Sequence, residues 1–113
     1  VRISHAGRRR ALPPAFEHAI YRTVQEALAN VIRHGGPGSR VEIDLAWDPA
    51  RLGVSIRSVS AGQPGTAVAS AGSGLGLRGL AQRLQDLGGE CTWSRDGDDR
   101  FTVTAWLPLV AAD

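Results

Sequence analysis

The chain has 113 residues, of which 42% are hydrophobic and 21% charged, a composition that predicts one compact domain and excludes two. Its single cysteine, Cys91, excludes an internal disulfide framework and a zinc site built from several thiolates. The formal net charge is +2, and the thirteen basic residues, all arginine, are scattered and nearly matched by eleven acidic ones, which predicts no nucleic-acid partner.

Hydrophobic patterns divide the first sixty residues into a strand, a helix and a hairpin. A short strand is predicted over residues 1–5, and Pro13 and Pro14 mark the point where a helix over 15–34 begins. Apolar residues in that helix recur at steps of four and three: Phe16, Ile20, Val24, Ala27 and Val31. Alternating apolar residues then predict strands over 41–47 and 52–56, joined by a turn at Asp48 and Pro49.

The second half of the chain opens with a long segment that lacks a regular hydrophobic pattern. Residues 59–76 are uncharged and rich in Ser, Ala and Gly, and a loop of this length in a compact domain is typically a lid or a binding loop. A leucine-rich helix is predicted from Leu77 to a stop at Gly88 and Gly89, followed by strands over 91–95 and 101–107. This order predicts an α+β, two-layer sandwich, in which helices cover one face of a mixed sheet.

A ribbon of polar residues follows the margin of the first predicted helix. Glu26, Asn30 and His34 lie at successive steps of four, where the buried face of the helix meets solvent. Mg²⁺ prefers hard oxygen ligands and is often held by one protein oxygen together with phosphates, a role that suits Asn30. Glu26 could orient or deprotonate an attacking group, and Arg33 and His34 could meet phosphate oxygens. The ordinary polarity of a helix surface is the alternative explanation.

A glycine-rich run, residues 72–80, leads directly into the second predicted helix. Glycine lets backbone N–H groups approach anions closely, and a helix N-terminus adds partial positive charge, so this combination favours phosphate binding. Gly74, Gly76 and Gly79 also match the G-x-G-x-x-G spacing of dinucleotide-binding folds. That fold requires a strand directly before the glycines, whereas a long small-residue loop precedes them here. A flexible linker is the remaining alternative.

Three stretches of the sequence together resemble one protein family. Residues 25–35, QEALANVIRHG, resemble the N box of sensor histidine kinases. Residues 74–83 with 87–89 resemble their G2 box and the following helix, and 106–109 are similar to their final strand. The resemblance covers nearly the whole chain and implies the GHKL ATP-binding fold. The short lid and the wording of the N box resemble the subfamily with the HisKA_3 dimerisation domain, whose partners are NarL-type response regulators.

The resemblance implies ATP and Mg²⁺ as cofactors and assigns roles to individual residues. Glu26 would be catalytic, Asn30 would bind the metal, and Arg33 and His34 would contact the triphosphate. The rest of the phosphate site would come from the glycine-rich run: Gly72, Gly74, Leu75, Gly76, Leu77 and Gly79. The phosphoryl group would go to a histidine on the dimerisation domain of the same kinase, and from there to a response regulator. Because neither His5 nor His18 matches that acceptor, this segment should not autophosphorylate alone.

The adenine end departs from the family pattern. The family's G1 box, D-x-G-x-G, supplies an Asp to the adenine amino group, whereas this chain has Ser58 there and keeps only the last glycine, Gly62. Losing a charge-assisted hydrogen bond costs roughly 1.5 to 3 kcal/mol. Where relatives often carry Thr beside the adenine, this chain has Phe101, and Thr102 should lie on the other face of the strand.

Three functions are compatible with these residues. The first is the ATP-binding catalytic domain of a sensor histidine kinase. The second is a regulatory module of the same fold with a degraded adenine site, and the third is an anti-sigma-type serine kinase. No apolar run approaches the ~20 residues of a membrane-spanning helix, so we expect a cytoplasmic domain without direct membrane contact. Because the chain lacks methionine, we expect a segment of a longer protein, and a membrane anchor elsewhere in that protein is compatible with this sequence.

Overall fold

The computed structural model describes residues 1–35, 38–60, 70–97 and 99–109, and at 34–35 and 70–75 it describes the backbone alone. Five strands and two helices occur in these residues. In chain order they are β1 (Arg2–Ala6), α1 (Pro14–Gly35), β2 (Arg40–Trp47), β3 (Arg51–Val59), α2 (Ser70–Asp86), β4 (Glu90–Asp96) and β5 (Arg100–Pro108). The α+β architecture predicted from the sequence is confirmed.

The strands form one mixed sheet in the order β1-β2-β3-β5-β4. β1 runs parallel to β2, and the other neighbours are antiparallel. Ile43, Ile56 and Val103 stand opposite one another in register, and all three are buried. Since successive side chains alternate between the two faces of a strand, this register gathers the apolar residues of β2, β3 and β5 on one face.

Both helices bury their apolar stripes against that face and against each other. The buried stripe of α2 is Leu77, Leu80 and Leu84, spaced as a helix requires. α1 contributes the small Ala27, which allows close packing, together with Val31. One edge of α1 and one edge of α2 are therefore brought side by side above the sheet.

The two helices differ in how well the sequence predicted their bounds. α1 begins at the predicted place, because Pro13 supplies the carbonyl that accepts hydrogen bonds from the backbone N–H of Phe16 and Glu17. α2 begins at Ser70, whereas regular structure was predicted to resume at Leu77, so that part of the prediction is wrong. Once Leu77 and its neighbours dock, each further residue adds a backbone hydrogen bond, and this cooperativity outweighs the low helix propensity of glycine.

The end of α2 follows the prediction. Gly88 has a φ of 90°, a conformation that glycine adopts without steric cost. The N–H of Gly89 donates to the carbonyl of Leu84 at 2.7 Å, which closes the helix with a Schellman-type turn. Among the described helices, neither is long and apolar enough to cross a membrane.

Candidate ATP site

Asn30 is the buried centre of the polar ribbon on α1. Its residue surface is only 2% exposed, which is rare for an amide side chain. Its Oδ1 accepts a hydrogen bond from Nη2 of Arg33 at 3.3 Å, while Nδ2 has no partner within the described residues. A buried donor without a partner costs about 1–3 kcal/mol. Such a group indicates a site that uses this side chain rather than a position optimised for folding.

Glu26 lies one turn before Asn30 and forms an ion pair with Arg33. Oε1 of Glu26 accepts a hydrogen bond from Nη2 of Arg33 at 3.1 Å, across two turns of the helix. The Glu26 side chain is 21% exposed and the Arg33 side chain is 40% exposed. The same guanidinium nitrogen thus contacts an oxygen of Glu26 and the oxygen of Asn30.

Gly76 connects this ribbon to the second helix. A Cβ atom added to Gly76 would collide with the Glu26 carboxylate, so the carboxylate lies directly against the glycine on α2. Only a residue without a side chain allows this approach. The two motifs, fifty residues apart in the sequence, therefore meet at one place between α1 and α2.

The rest of the glycine-rich run has three different environments. Gly72, Gly74 and Leu75 are in the first turns of α2, where the backbone alone is described. Leu77 is 1% exposed and packs in the core within α2, so its side chain is not available to a ligand. Gly79 is exposed, and a Cβ there would meet no described atom within 4 Å.

Two further candidates cannot be placed in the site from the described residues. His34 is in the last turn of α1, and its side chain lies outside the description. Gly62 and the rest of 61–69, half of the predicted lid, lie outside the described residues as well.

Ser58 lies at a different level of the fold, in the sheet beneath the helices. It is 7% exposed and pairs with Phe101 on β5. The Ser58 hydroxyl donates to the Phe101 carbonyl at 3.3 Å. Phe101 packs against the core, on the same face as Val103, which places Thr102 on the opposite face as the sequence predicted.

Comparison with known proteins gives the family. Residues 16–111 match the model of the histidine kinase-, DNA gyrase B- and HSP90-like ATPases, which is most of the chain. The chain belongs to this ATPase family. It is therefore an ATP-binding domain, and its described geometry can be interpreted with a nucleotide in mind.

Among curated relatives of this ATPase domain are two sensor histidine kinases of Bacillus subtilis strain 168. One, LnrJ, is 32% identical over 99 residues, or 88% of the chain. The other, YxjM, is 31% identical over 101 residues, or 89% of the chain. The chain spans 23% of the length of each, so it corresponds to one part of these kinases.

Solved structures with the same fold are also histidine kinase domains. The histidine kinase domain of the blue-light activated kinase from Erythrobacter litoralis EL346 has a TM-score of 0.68 and 22% identity, over 96% of this chain and 54% of that one. The catalytic domain of the histidine kinase ThkA has a TM-score of 0.62 and 15% identity, over 95% of this chain and 77% of that one. At these identities the likeness establishes the fold.

The donor set of the ATPase domain suits a hard cation shared with phosphates. Within the described ranges, no group of three or more His, Cys, Asp or Glu side chains is arranged to hold a metal. The oxygens of Asn30 and Glu26 nevertheless converge on one point, as their shared contact with Arg33 demonstrates. Oxygen donors of this kind fit Mg²⁺, which keeps waters and phosphate oxygens as its other ligands. Cys91 is elsewhere, and burial raises the pKa of its thiol to about 11, so it is unreactive.

Helical periodicity missed the double contact of Arg33. Because Arg33 falls away from the apolar stripe, the pattern directs it towards solvent, yet its long side chain bends back along the helix to Asn30 and Glu26. The spacing contained the signal: an acidic residue seven positions before, and an amide three positions before, lie on the same side of a helix.

Proposed function

We propose that this chain is the catalytic domain of a sensor histidine kinase, which binds ATP with Mg²⁺ and donates the γ-phosphoryl group to a histidine on a separate dimerisation domain. The observation that carries the proposal is the meeting of Glu26, Asn30 and Gly76 between the two helices. The unpartnered amide of Asn30 and the sensor-kinase relatives support it further.

Each residue of the site has a distinct task in this proposal. Asn30 offers its side-chain oxygen to Mg²⁺, which neutralises charge on the phosphates. Arg33 and His34 contact the triphosphate, and the free backbone N–H groups at the start of α2, that of Gly72 among them, bind it. The N–H groups of Gly76 and Gly79 are used inside the helix, so these glycines contribute close approach rather than hydrogen bonds. Positioning and charge neutralisation are the main sources of rate in phosphoryl transfer.

In the transfer, an imidazole nitrogen of the acceptor histidine forms a bond to the γ-phosphorus as the bond to the bridging oxygen breaks. ADP leaves with the electron pair of that bond, and the imidazole proton must be taken up by a base. Glu26 is the candidate catalytic residue for this uptake, because its carboxylate lies beside Gly76 at the phosphate end of the site.

The finer assignments rest on sequence resemblance. The adenine would be bound next to Ser58, and Gly62 belongs to the same sequence motif. The resemblance also assigns Leu75 and Leu77 to the ATP site. The short lid and the wording of the N box favour the subfamily with the HisKA_3 dimerisation domain. The phosphoryl group would then pass to a response regulator in the cytoplasm.

A regulatory module without nucleotide turnover is the second candidate, and Ser58 is the observation that favours it. A buried hydroxyl already bonded to the Phe101 carbonyl replaces the family's carboxylate, so the adenine site is weakened. This alternative predicts no saturable ATP·Mg²⁺ binding at millimolar nucleotide.

Calorimetric titration of the chain with ATP·Mg²⁺ tests the proposal. We expect saturable binding by the wild type and a loss of about ten- to a hundredfold in Mg²⁺-dependent affinity for Asn30→Ala, because a charged interaction is removed. Thr23→Ala is the matched control, since Thr23 is also buried in α1 but its hydroxyl donates to the carbonyl of Ala19. Equal affinities for all three proteins would remove Asn30 from the metal site.

A further inference from the structure

One nitrogen of Arg33 occupies the point at which the acidic and amide oxygens of the site converge. Its Nη2 lies 3.1 Å from Oε1 of Glu26 and 3.3 Å from Oδ1 of Asn30. We propose that Arg33 is an internal cation that takes the place of the metal until nucleotide arrives and must leave both oxygens when ATP·Mg²⁺ binds. The inference rests on the proposed function and names a positioning residue for it.

The orientation of the Asn30 amide follows from this contact. A guanidinium donates and never accepts, so it holds the oxygen of the amide towards the site and leaves the NH₂ group on the inner side. That NH₂ group is the buried atom without a partner in the described structure. Arg33 thus keeps the oxygen of Asn30 aimed at the place where a cation belongs.

The same contact competes with a metal. The Asn30 oxygen that accepts from Arg33 is the atom that the amide would offer to Mg²⁺, and two cations that share one oxygen repel each other. The guanidinium and the metal therefore cannot use the Asn30 oxygen at the same time. Phosphate oxygens give the displaced guanidinium a new partner, with which it can form bidentate bonds.

Glu26 is constrained until this exchange occurs. Its carboxylate is held between the guanidinium of Arg33 and the surface of Gly76. Because the Arg33 side chain is 40% exposed, it can swing to a new partner while α1 stays folded. The carboxylate stays ion-paired with Arg33 until the guanidinium moves to the phosphates, and it then becomes available as a base.

Metal binding without nucleotide separates this role from that of an ordinary surface ion pair. Binding of Mn²⁺ to the nucleotide-free chain, followed by electron paramagnetic resonance, should be about tenfold tighter in Arg33→Gln, since a like charge within a few ångströms has an effect of this order. Arg22→Gln is the matched control: it removes the same charge from the same helix, where Arg22 bonds only to Gln25 among the described residues. The control should match the wild type within about twofold.

A double variant identifies the oxygen that the metal uses. Adding Asn30→Ala to Arg33→Gln should abolish the gain in Mn²⁺ affinity, because the Asn30 oxygen is the ligand that removal of the guanidinium exposes. Equal Mn²⁺ affinities for Arg33→Gln and Arg22→Gln, or a gain that survives Asn30→Ala, would overturn the inference.

A measurement on the wild type covers the case in which Arg33→Gln does not fold. The guanidinium NMR signals of Arg33 should shift on saturation with ATP·Mg²⁺, while those of Arg22 stay in place; unmoved Arg33 signals at saturation would also overturn the inference. If calorimetry detects no ATP binding, the proposed function fails, whereas the Mn²⁺ result still decides whether Arg33 fills a cation position.

Discussion

The two ends of the proposed nucleotide site differ in charge, in exposure and in hydrogen bonding. At the phosphate end, Glu26 and Arg33 are charged and partly exposed, and Asn30 carries a buried donor without a described partner. At the adenine end, Ser58 is neutral, buried and hydrogen-bonded to Phe101. A ligand therefore stabilises the phosphate end by supplying polar contacts, whereas the polar group at the adenine end already has its hydrogen-bond partner. Affinity for ATP should come mainly from the triphosphate and its metal.

Among changes at the two ends, loss of the Glu26 carboxylate at the phosphate end should have the largest effect on phosphoryl transfer. In a full-length kinase, Glu26→Gln should lower the rate of phosphoryl transfer to histidine by about a hundredfold or more, because general-base catalysis contributes that much. ATP affinity should change little, since the amide still fits beside Gly76. Transfer of labelled phosphate from ATP measures the rate.

The control for Glu26→Gln is Glu17→Gln, which removes a carboxylate from the first turn of the same helix. It should leave the rate of transfer unchanged. If Glu26→Gln transferred phosphate as fast as Glu17→Gln, the phosphate end would contain no base at this position.

A charge introduced at the adenine end tests whether that end limits the affinity for ATP. Ser58→Asp should tighten ATP binding by about ten- to a hundredfold, the equivalent of 1.5 to 3 kcal/mol for a hydrogen bond to a charged group. Without nucleotide the same change should lower the melting temperature, because it buries a carboxylate without a positive partner. Calorimetry and thermal unfolding, each with and without ATP, measure both effects.

Ser58→Asn separates charge from shape in that experiment. Asparagine has nearly the size of aspartate but no charge. Ser58→Asn should therefore recover little of the gain in ATP affinity and should lower the melting temperature less than Ser58→Asp. A Ser58→Asp variant that binds ATP no better than the wild type would mean that the adenine is bound elsewhere.

At the phosphate end, the sequence predicts which side of a helix a residue lies on better than it predicts how the two helices meet. Periodicity predicted both Glu26 and Asn30 at the margin of α1, because a helix that is anchored by its apolar stripe has fixed sides. Glu26 is partly exposed there, whereas Asn30 is buried, because packing of α1 against the rest of the fold decides how far the margin is covered. Periodicity could not foresee the contact between Glu26 and Gly76, since the packing of two helices depends on side chains from the whole core. The pattern of small residues predicts a later start for α2 than the structure has, because tertiary docking and helix cooperativity outweigh local glycine propensity there.

Gly76 and Gly79, both on α2, test whether the close approach of Glu26 matters at the phosphate end. Gly79→Ala should raise the free energy of unfolding by up to about 1 kcal/mol, since alanine favours a helix and nothing described stands in its way. Gly76→Ala has the same local benefit but displaces the Glu26 carboxylate, so stability should change less and phosphoryl transfer should fall. Chemical denaturation and a transfer assay on the same two variants measure the difference.

Equal behaviour of Gly76→Ala and Gly79→Ala in both assays would contradict the role given to the close approach. If Gly79→Ala alone lost ATP affinity, Gly79 rather than Gly76 would be the glycine that lies against the phosphates.

The smallest effect is expected on the outer face of the sheet, away from both ends. A hydrogen bond from Ser4, followed by the nearby Arg57 guanidinium, lowers the pKa of Asp44 below its usual 3.8. A carboxyl whose pKa is lower in the folded state contributes stability above its unfolded pKa, and the contribution disappears as pH falls through the folded value. Asp44→Asn should therefore flatten the loss of stability below about pH 4, and leave ATP affinity at neutral pH unchanged. An altered ATP affinity would mean that Asp44, on the outer face of the sheet, influences nucleotide binding, and that residues beyond the two helices contribute to the phosphate end.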